Sequence, residues 1–365
     1  MKAGIGPSLP TDRVGGEDGR MKKEINSTEI ARLAGVSRST VSRVVNGYKN
    51  VPQETHEKVM AVIDRYRYVP NHSAQVLKGK PTKTLGLFWI SRGRIAEDFL
   101  AEYIIVTIIE NAASQGYHIL TCVVPDLLQA QNTRTVRELY QQKRIDGGIF
   151  IGLNSREPFI EELVEEGFVV GLFDYGVDGT KAENRVIINF DSETSARAVD
   201  YLVELGHHDI GLINGDILRY SGMQKYEGFA EGLRRNGLLL EPAWVGHNGF
   251  SEASGYDAMK TMLDRSVRLP TAICCANDSI AFGAIRALRE AGHRVPEDVS
   301  VIGIDDHMRS ATSDPPLTTF REDFDGMLSA LAKEVIRVSQ GEAAAVMAEF
   351  TGELVVRKSC IRLGG

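Results

Sequence analysis

The sequence predicts an all-α module at the N-terminus followed by a larger α/β core built from two doubly wound parallel-sheet lobes. Short apolar helical patterns fill residues 26–67, and from Thr84 onward apolar runs alternate with amphipathic segments. Repeated β-α units are typical of parallel sheets covered by helices on both faces. Roughly 280 residues are more than one sheet covers well, so two similar lobes are expected.

Charge separates the two regions. Residues 22–83 carry 12 Lys and Arg against 5 Asp and Glu, a net charge of +7, whereas the whole chain of 365 residues carries −7. A small basic module on a large acidic body indicates a polyanionic partner for the module alone.

Composition argues for a cytoplasmic protein. No apolar run approaches the roughly 18–20 residues of a membrane span, and the N-terminus lacks the apolar core of a signal peptide. None of the four cysteines forms a C-x-x-C pair, so we expect reduced thiols at Cys122, Cys274, Cys275 and Cys360.

Three short helices are expected in the module. "STEIARLAG" has Ser27 as a possible cap and ends at Gly35, "SRSTVSRVVNG" begins at the good N-cap Ser37, and "VPQETHEKVMAVIDRYRY" begins at Pro52. A small residue at Ala31 allows two helices to cross closely, and Gly35 suits a tight turn. This is the pattern of a helix-turn-helix.

The second of these helices presents a polar face. It exposes Arg38, Ser39, Ser42, Arg43 and Asn46, whose side chains have the reach for base edges and phosphates in a major groove. A generic three-helix bundle with a solvated face is the simpler alternative. The turn spacing and the basic charge favour DNA binding.

Longer motifs carry a resemblance. The segment "EIARLAGVSRSTVSRVVNGYKNVPQETHEKVMAVIDRYRYVPNHSAQVLKGK" resembles the headpiece and hinge of the lactose/galactose-repressor (LacI/GalR) family. "VIINFDSETSARAVDYLVELGHHDIGLING", "AICCANDSIAFGAIRALREAGHRVPEDVSVIGIDD" and "PPLTTFREDF" resemble that family's effector-binding core, which is itself similar to periplasmic sugar-binding proteins. The similarity covers nearly all of residues 25–360.

The resemblance implies a domain plan and a set of DNA contacts. We expect a disordered extension at 1–24, the DNA-binding domain at 25–70, a hinge helix and linker at 71–83, a first lobe of 84–188 with 316–346, and a second lobe of 189–315 with 347–365. By motif position the DNA-contacting residues are Asn26, Ser37, Arg38, Ser39, Thr40, Ser42, Arg43, Asn46, Lys49, Asn50, Thr55, Asn71, Ala74 and Leu77.

The hinge segment Asn71 to Lys78 is too short to hold as an isolated helix, which needs about 12–15 residues. The resemblance implies that two copies pair on the operator, with Ala74 at the close approach and Leu77 as a wedge in the minor groove. A plain spacer with Leu77 packed on the core is the alternative.

A small-molecule site is expected between the lobes. Polar residues follow predicted strands directly at Asp174, Asn277 with Asp278, and Asp305 with Asp306, and crevices at the carboxyl ends of parallel strands bind ligands. Helix capping is the alternative role for Asn277 and Asp278, and a turn for Asp306. Phe250 occupies the position at which members of the family often have an aromatic side chain that stacks on the ligand.

Lys225 departs from the family, which commonly has Arg there. A Lys presents a point charge where Arg presents a planar fork, so an acidic or phosphorylated sugar enters as a hypothesis, with Arg219, Arg92 or Arg94 as compensating groups. The predicted effector-binding residues are Asp174, Lys225, Phe250, Asn277 and Asp305.

The sequence predicts neither an enzyme nor a metal site. It contains no G-x-x-x-x-G-K-[ST], G-x-S-x-G or H-E-x-x-H motif, and the adjacent His207 and His208 are poorly placed to share a metal. We expect a homodimeric repressor of a palindromic operator, controlled by a carbohydrate or a derivative of one. A solute-binding protein without a DNA role is the alternative.

Overall fold

The computed structural model describes residues 25–69, 76, 79–91, 99–176, 182–265, 268–345 and 350–363. The chain divides into two compact units, Met1–Lys80 and Pro81–Gly365. The first unit is an all-α headpiece and the second is an α/β core, in agreement with the predicted fold class. None of the described helices has the length and apolar character to cross a membrane.

The headpiece contains three helices, α1 (Ser27–Ala34), α2 (Arg38–Val45) and α3 (Gln53–Tyr66). The N-cap of α1 is Asn26 rather than the predicted Ser27, since the Asn26 side chain accepts hydrogen bonds from the N–H groups of Thr28 and Glu29. A cap at this position satisfies donors that the first turn leaves unpaired.

One small apolar cluster holds the headpiece together. Ile30 and Val59 are fully buried, and Ala31, Val41 and Val44 are nearly so. These residues come from all three helices, so the position of α2 depends on both of its neighbours. Val41 of α2 packs in this cluster with Ile30 and Ala31 of the first helix.

The first lobe has a five-stranded, all-parallel sheet in the order β2-β1-β3-β4-β5. Its elements up to the first crossing are β1 (Thr84–Ile90), α4 (Phe99–Ser114), β2 (His118–Val124), α5 (Ala130–Gln141), β3 (Gly147–Ile151), α6 (Pro158–Glu165), β4 (Val170–Phe173) and β5 (Arg185–Ile188).

The second lobe has a six-stranded sheet in the order β11-β10-β9-β8-β6-β7, in which only the β10–β11 pair is antiparallel. Its elements are α7 (Thr194–Glu204), β6 (Ile210–Asn214), α8 (Tyr220–Arg235), β7 (Val245–His247), α9 (Glu252–Arg265), β8 (Ala272–Cys275), α10 (Asp278–Glu290), β9 (Ser300–Ile304), β10 (Thr318–Arg321) and β11 (Glu353–Val355).

Helix α11 (Phe324–Ser339) returns to the first lobe, where it packs on β3, β4 and β5 and beside α4. The expected return at residue 316 is wrong, because β10 pairs with β9 and keeps the chain in the second sheet through Arg321. The crossing therefore falls between Arg321 and Phe324.

Each sheet is covered on both faces by apolar clusters. In the first lobe one cluster contains Leu85 and Leu331, and the opposite one contains Phe88 and Phe150. Two further clusters flank the second sheet. This is the doubly wound arrangement that the sequence predicts, and it leaves the carboxyl ends of the strands free to form a crevice.

Candidate functional site

The turn between α1 and α2 sets the headpiece geometry. Gly35 has φ 66°, a left-handed conformation that residues with a Cβ adopt at a cost. Its N–H and that of Val36 close the end of α1 onto carbonyls of the last turn. Ser37 then caps α2 by accepting a 3.1 Å hydrogen bond from the Thr40 N–H, so two helices follow each other within a few residues.

Opposite the buried Val41 and Val44, α2 presents a polar face to solvent. Arg38, Ser39 and Arg43 are exposed on it. The guanidinium of Arg38 donates a 3.2 Å hydrogen bond to the Ser27 hydroxyl of α1. This face has the donors and acceptors that read base edges and hold phosphates.

The other predicted contacts of the headpiece lie around this face with different exposures. Asn26, Ser37, Lys49 and Asn50 are exposed, whereas Thr40, Ser42, Asn46 and Thr55 are partly buried. The Asn46 side chain donates a 2.6 Å hydrogen bond to the Ser42 carbonyl and closes the end of α2. The remaining predicted contacts, Asn71, Ala74 and Leu77, lie outside the described residues.

Tyr48 is a residue that sequence reasoning missed. It follows α2 directly and is 59% exposed. Single exposed aromatic side chains are common on protein surfaces, so what distinguishes Tyr48 is its place directly after the polar face of α2. The sequence indicates this position through the neighbours of Tyr48, which lies between Gly47 and the predicted phosphate contact Lys49.

A cleft of about 620 Å³ lies between the two lobes of the core. Its walls include the ends of β4, β8, β9 and β10, as expected for a crevice at the carboxyl ends of parallel strands. All five predicted effector-binding residues line it, namely Asp174, Lys225, Phe250, Asn277 and Asp305. Its volume lies within the usual range for sites of small molecules.

Asp174 follows β4 with φ 61°. Its Oδ2 accepts a 2.6 Å hydrogen bond from the Ser221 hydroxyl of the second lobe, while its buried Oδ1 has no partner among the described residues. Burial raises the pKa of this carboxyl above its ordinary value, and the bond from Ser221 opposes that rise.

Lys225 lies on α8 and is 8% exposed. Its ammonium group donates a 2.6 Å hydrogen bond to the Ala276 carbonyl and lies 5.2 Å from the centre of the Phe190 ring. A buried ammonium needs such partners to offset the loss of water. The predicted compensating residue Arg219 also lines the cleft, whereas Arg92 and Arg94 lie outside the described residues.

Phe250 packs directly on the backbone at the end of β6, because a Cβ on Gly215 would overlap its ring. The Arg219 guanidinium lies 5.8 Å from the centre of the Phe250 ring. Asn277 donates a 3.0 Å hydrogen bond to the Phe250 carbonyl and accepts one of 2.8 Å from the Ile280 N–H. Asn277 therefore caps α10 while it lines the cleft.

Asp278 serves the fold of the second lobe. It is fully buried and accepts hydrogen bonds from Thr319 Oγ1 at 2.6 Å, Ser310 Oγ at 2.5 Å and the His307 N–H at 2.8 Å. Burial raises the pKa of its carboxyl to about 7. These contacts tie α10 to β10 and to the loop after β9, which supports the cleft from behind.

Asp305 and Asp306 both line the cleft where the chain leaves β9. Both have positive φ, 109° and 53°, so the chain turns sharply as it leaves β9. Asp306 forms ion pairs with Arg321 at 2.8 Å and Arg357 at 2.6 Å, in keeping with a role in the turn. Asp305 lines the cleft beside it.

Glu322 is a cleft residue that sequence reasoning missed. It follows β10, is 5% exposed and lines the cleft. Its Oε1 accepts a 3.0 Å hydrogen bond from the Thr194 hydroxyl. Burial raises the pKa of its carboxyl, and the positive charge of Lys225 acts against that rise.

His207 has structural partners. Its ring nitrogens lie 3.0 Å from Thr271 Oγ1 and 3.0 Å from the Ile361 carbonyl oxygen. Within the part of the chain that the structure describes, no group of three or more His, Cys, Asp or Glu is arranged to hold a metal ion.

Comparison with known proteins finds a family match in the headpiece and another in the core. The family of bacterial regulatory proteins, lacI family, matches residues 28–71, and the periplasmic binding protein-like domain matches residues 199–360. The HTH-type transcriptional repressor PurR of Pasteurella multocida (strain Pm70) is 32% identical over 334 residues, which are 91% of this chain and 97% of that protein. The PurR of Haemophilus influenzae (strain Rd) is 32% identical over 336 residues, with the same coverage.

Two solved structures of transcriptional regulators are similar to this chain. A Lac repressor dimer bound to operator and the anti-inducer ONPF superposes with a TM-score of 0.77 at 30% identity, over 93% of this chain and 100% of that one. The complex of the transcriptional regulator CelR with cellobiose gives a TM-score of 0.70 at 26% identity, over 92% of this chain and 99% of that one.

These findings define a DNA-binding transcriptional regulator with a periplasmic-binding-protein-like effector domain. The chain belongs to the LacI family. The family is one of regulators, so the prediction that the chain is not an enzyme is confirmed. The alternative of a solute-binding protein without a DNA role is wrong, because the family match includes the headpiece.

Proposed function

We propose that this protein is a homodimeric repressor that binds a palindromic operator and is controlled by a small molecule, of the carbohydrate class or a derivative, in the cleft between its lobes. The observation that carries the proposal is the joint presence of an exposed polar face on α2 and a polar-lined cleft of about 620 Å³ in one chain. It would act in the cytoplasm, where its DNA lies.

The headpiece supports operator binding through α2. Its exposed Arg38, Ser39 and Arg43 are positioned to read bases once the helix lies in a major groove. Asn26, Lys49 and Asn50 flank this face and would contact phosphates. The Lac repressor of known structure binds operator as a dimer, and two-fold symmetry of a dimer corresponds to a palindromic site.

The core supports a dimer through a second apolar stripe on α4. Ala101, Ile104 and Ile108 face the interior, while Val106 and Ile109 on the other side are 52% and 41% exposed. Helix α4 packs beside β2, where Val123 is 57% exposed. Apolar side chains grouped on one surface mark a protein contact.

The hinge would couple the two units. Paired Leu77 side chains in the minor groove would bend the duplex, and effector binding would alter how the two hinges meet. A coupling free energy of about 1–3 kcal/mol changes operator affinity roughly 5–150-fold. A Leu77→Ala protein that bound and bent its operator like the wild type would leave the hinge as a plain spacer.

An electrophoretic mobility shift with genomic fragments tests the proposal. We expect one sequence-specific complex whose stability changes when an effector is added. The matched control is the double variant Arg38→Ala and Arg43→Ala, which leaves the core intact and removes the basic side chains of α2. The absence of a specific complex with and without every tested effector would refute the repressor function.

A further inference from the structure

Asp146 holds the point at which the linker enters the core. One oxygen of its carboxylate accepts a 2.7 Å hydrogen bond from the N–H of Thr82, and the other accepts one of 2.7 Å from the N–H of Lys83. The N–H of Asp146 itself donates to the Thr84 carbonyl at 2.8 Å. One residue from a distant part of the sequence thus binds three consecutive residues at the junction of the linker and β1.

These bonds reach beyond the sheet. The ladders of β1 with β2 and β3 begin at Thr84 and Leu85, so the N–H groups of Thr82 and Lys83 lie before the first residue that a neighbouring strand pairs. Lys83 has φ 51°, a left-handed conformation that is costly for a residue with a Cβ. Hydrogen bonds to a carboxylate are stronger than neutral ones, and here they hold the chain in this bend.

Asp146 is itself held in place by the residues that follow it. A Cβ on Gly147 would lie 3.2 Å from the Val335 side chain of α11, and a Cβ on Gly148 would overlap the Tyr140 hydroxyl. The start of β3 is therefore packed closely against helices on both of its faces. Its carboxylate is attached to a part of the first lobe with little freedom, so the linker exit moves together with that lobe.

The linker exit and the cleft lie at opposite ends of the first sheet. Thr84 and Gly147 begin β1 and β3, whereas the cleft takes its walls from the other ends of the strands, for example at Ile151 and Phe173. Asp146 is not among the described residues that line the cleft. A change at Asp146 therefore acts on the linker and leaves the walls of the cleft intact.

We propose that Asp146 is a positioning residue for operator binding, which fixes where each linker leaves the core and so sets the half-site spacing that the dimer accepts. The inference rests on the proposed function, in which a dimer reads a palindromic operator through two linkers. Half-site spacing is a geometric property of such a dimer. Each residue released from an anchor adds up to about 3.5 Å of reach, and loss of the Asp146 carboxylate releases two residues in each chain.

Asp146→Ala tests the anchor in the full-length protein. The probes are the operator fragment isolated in the mobility-shift assay and two derivatives, with one base pair inserted or removed at its centre. We expect affinity for the operator fragment to fall at least about tenfold, because the released residues must be ordered on binding. We expect the preference for this fragment over its derivatives to shrink at least about threefold, since longer linkers tolerate other separations. Affinity for non-specific DNA should stay unchanged.

Asp126→Ala is the matched control. Asp126 lies in the same lobe after β2, and its Oδ1 accepts hydrogen bonds from the N–H groups of Leu128 and Gln129 at 3.0 and 3.1 Å. The control therefore removes a similar pair of bonds and the same charge at the opposite end of the sheet. We expect it to lower the melting temperature and to leave the spacing preference unchanged. Sedimentation at the assay concentration checks that both variants are dimers.

Asp146→Asn is the milder variant for the case in which Asp146→Ala does not fold. The amide keeps one acceptor oxygen and so keeps one of the two bonds to the linker. We expect its spacing preference to lie between those of the wild type and Asp146→Ala. Melting curves of all variants separate loss of stability from loss of positioning.

The outcomes separate this inference from the proposed function. A folded, dimeric Asp146 variant with the spacing preference of Asp126→Ala would overturn the anchor, while its specific binding would leave the repressor function standing. An equal loss of affinity on all fragments, non-specific DNA included, would also overturn the anchor. The absence of a specific complex with the wild-type protein would refute the proposed function and this inference with it.

Discussion

The Ser221 hydroxyl donates a 2.6 Å hydrogen bond to Asp174 Oδ2 and so joins α8 of the second lobe to the end of β4 in the first. A second link lies close by, where the Ser155 N–H donates to the Leu218 carbonyl at 3.0 Å. Polar contacts therefore hold the lobes together at the edge of the cleft. Contacts of this kind exchange for water at modest cost, which allows the lobes to move when a ligand binds.

Ser221→Ala should loosen the lobes. The change removes the side-chain donor that joins the two lobes at a largely buried carboxylate, so we expect a loss of about 1–3 kcal/mol in the free energy of unfolding. We also expect a larger radius of gyration in X-ray scattering of the ligand-free protein. Ser114→Ala, at an exposed position on α4, is the control. Scattering and stability equal to those of the control would show that this bond does not restrain the lobes.

The buried carboxyl group of Asp278 should make the free energy of unfolding depend on pH. Burial raises the pKa of its carboxyl from 3.8 to about 7, so the folded state keeps a proton that the unfolded chain has already released. Its contribution to stability is complete below pH 3.8, falls as the pH rises, and is lost near pH 7. Between pH 5 and 7 the loss amounts to at most about 3 kcal/mol.

Asp278→Asn removes this titration. We expect the free energy of unfolding of the variant to change less than that of the wild type between pH 5 and 7, as measured by urea denaturation at several pH values. Asp314→Asn, an exposed carboxylate in the same lobe, should keep the wild-type slope. Parallel pH profiles for wild type and Asp278→Asn would exclude Asp278 as the source.

Local patterns made most of the fold and five cleft positions predictable. Asp174 and Asp305 follow apolar strands directly, and parallel strands bring their carboxyl ends to one edge wherever they lie in the sequence. Glu322 has no such signal, because "FREDF" reads as a charged surface loop. Glu322 is buried because the chain crosses between the lobes after Arg321. Local sequence patterns do not reveal the pairing of β10 with β9, and for the same reason the expected lobe boundary at residue 316 was wrong.

Lys49→Ala should make operator binding less dependent on salt. Lys49 is exposed just beyond α2, and each phosphate contact contributes about −0.9 to the slope of log affinity against log salt concentration. We expect the slope to become shallower by roughly that amount, with weaker binding on every DNA sequence. Lys58→Ala is the control, because Lys58 pairs with Glu54 on α3 and carries the same charge. Equal slopes for the two variants would remove Lys49 from the phosphate contacts.

Val106→Glu should weaken the dimer. Val106 is 52% exposed on α4, next to Ile109, and the opposite side of the helix is already buried in the first lobe. A dimer that covers this stripe would bury the new carboxylate against its symmetry copy. Burial of an unpaired charge costs several kcal/mol, so we expect the dissociation constant measured by analytical ultracentrifugation to rise by at least a hundredfold. Leu239→Glu places the same charge at a side chain that is 92% exposed in the other lobe. A Val106→Glu protein that stays as dimeric as Leu239→Glu would move the dimer contact away from α4.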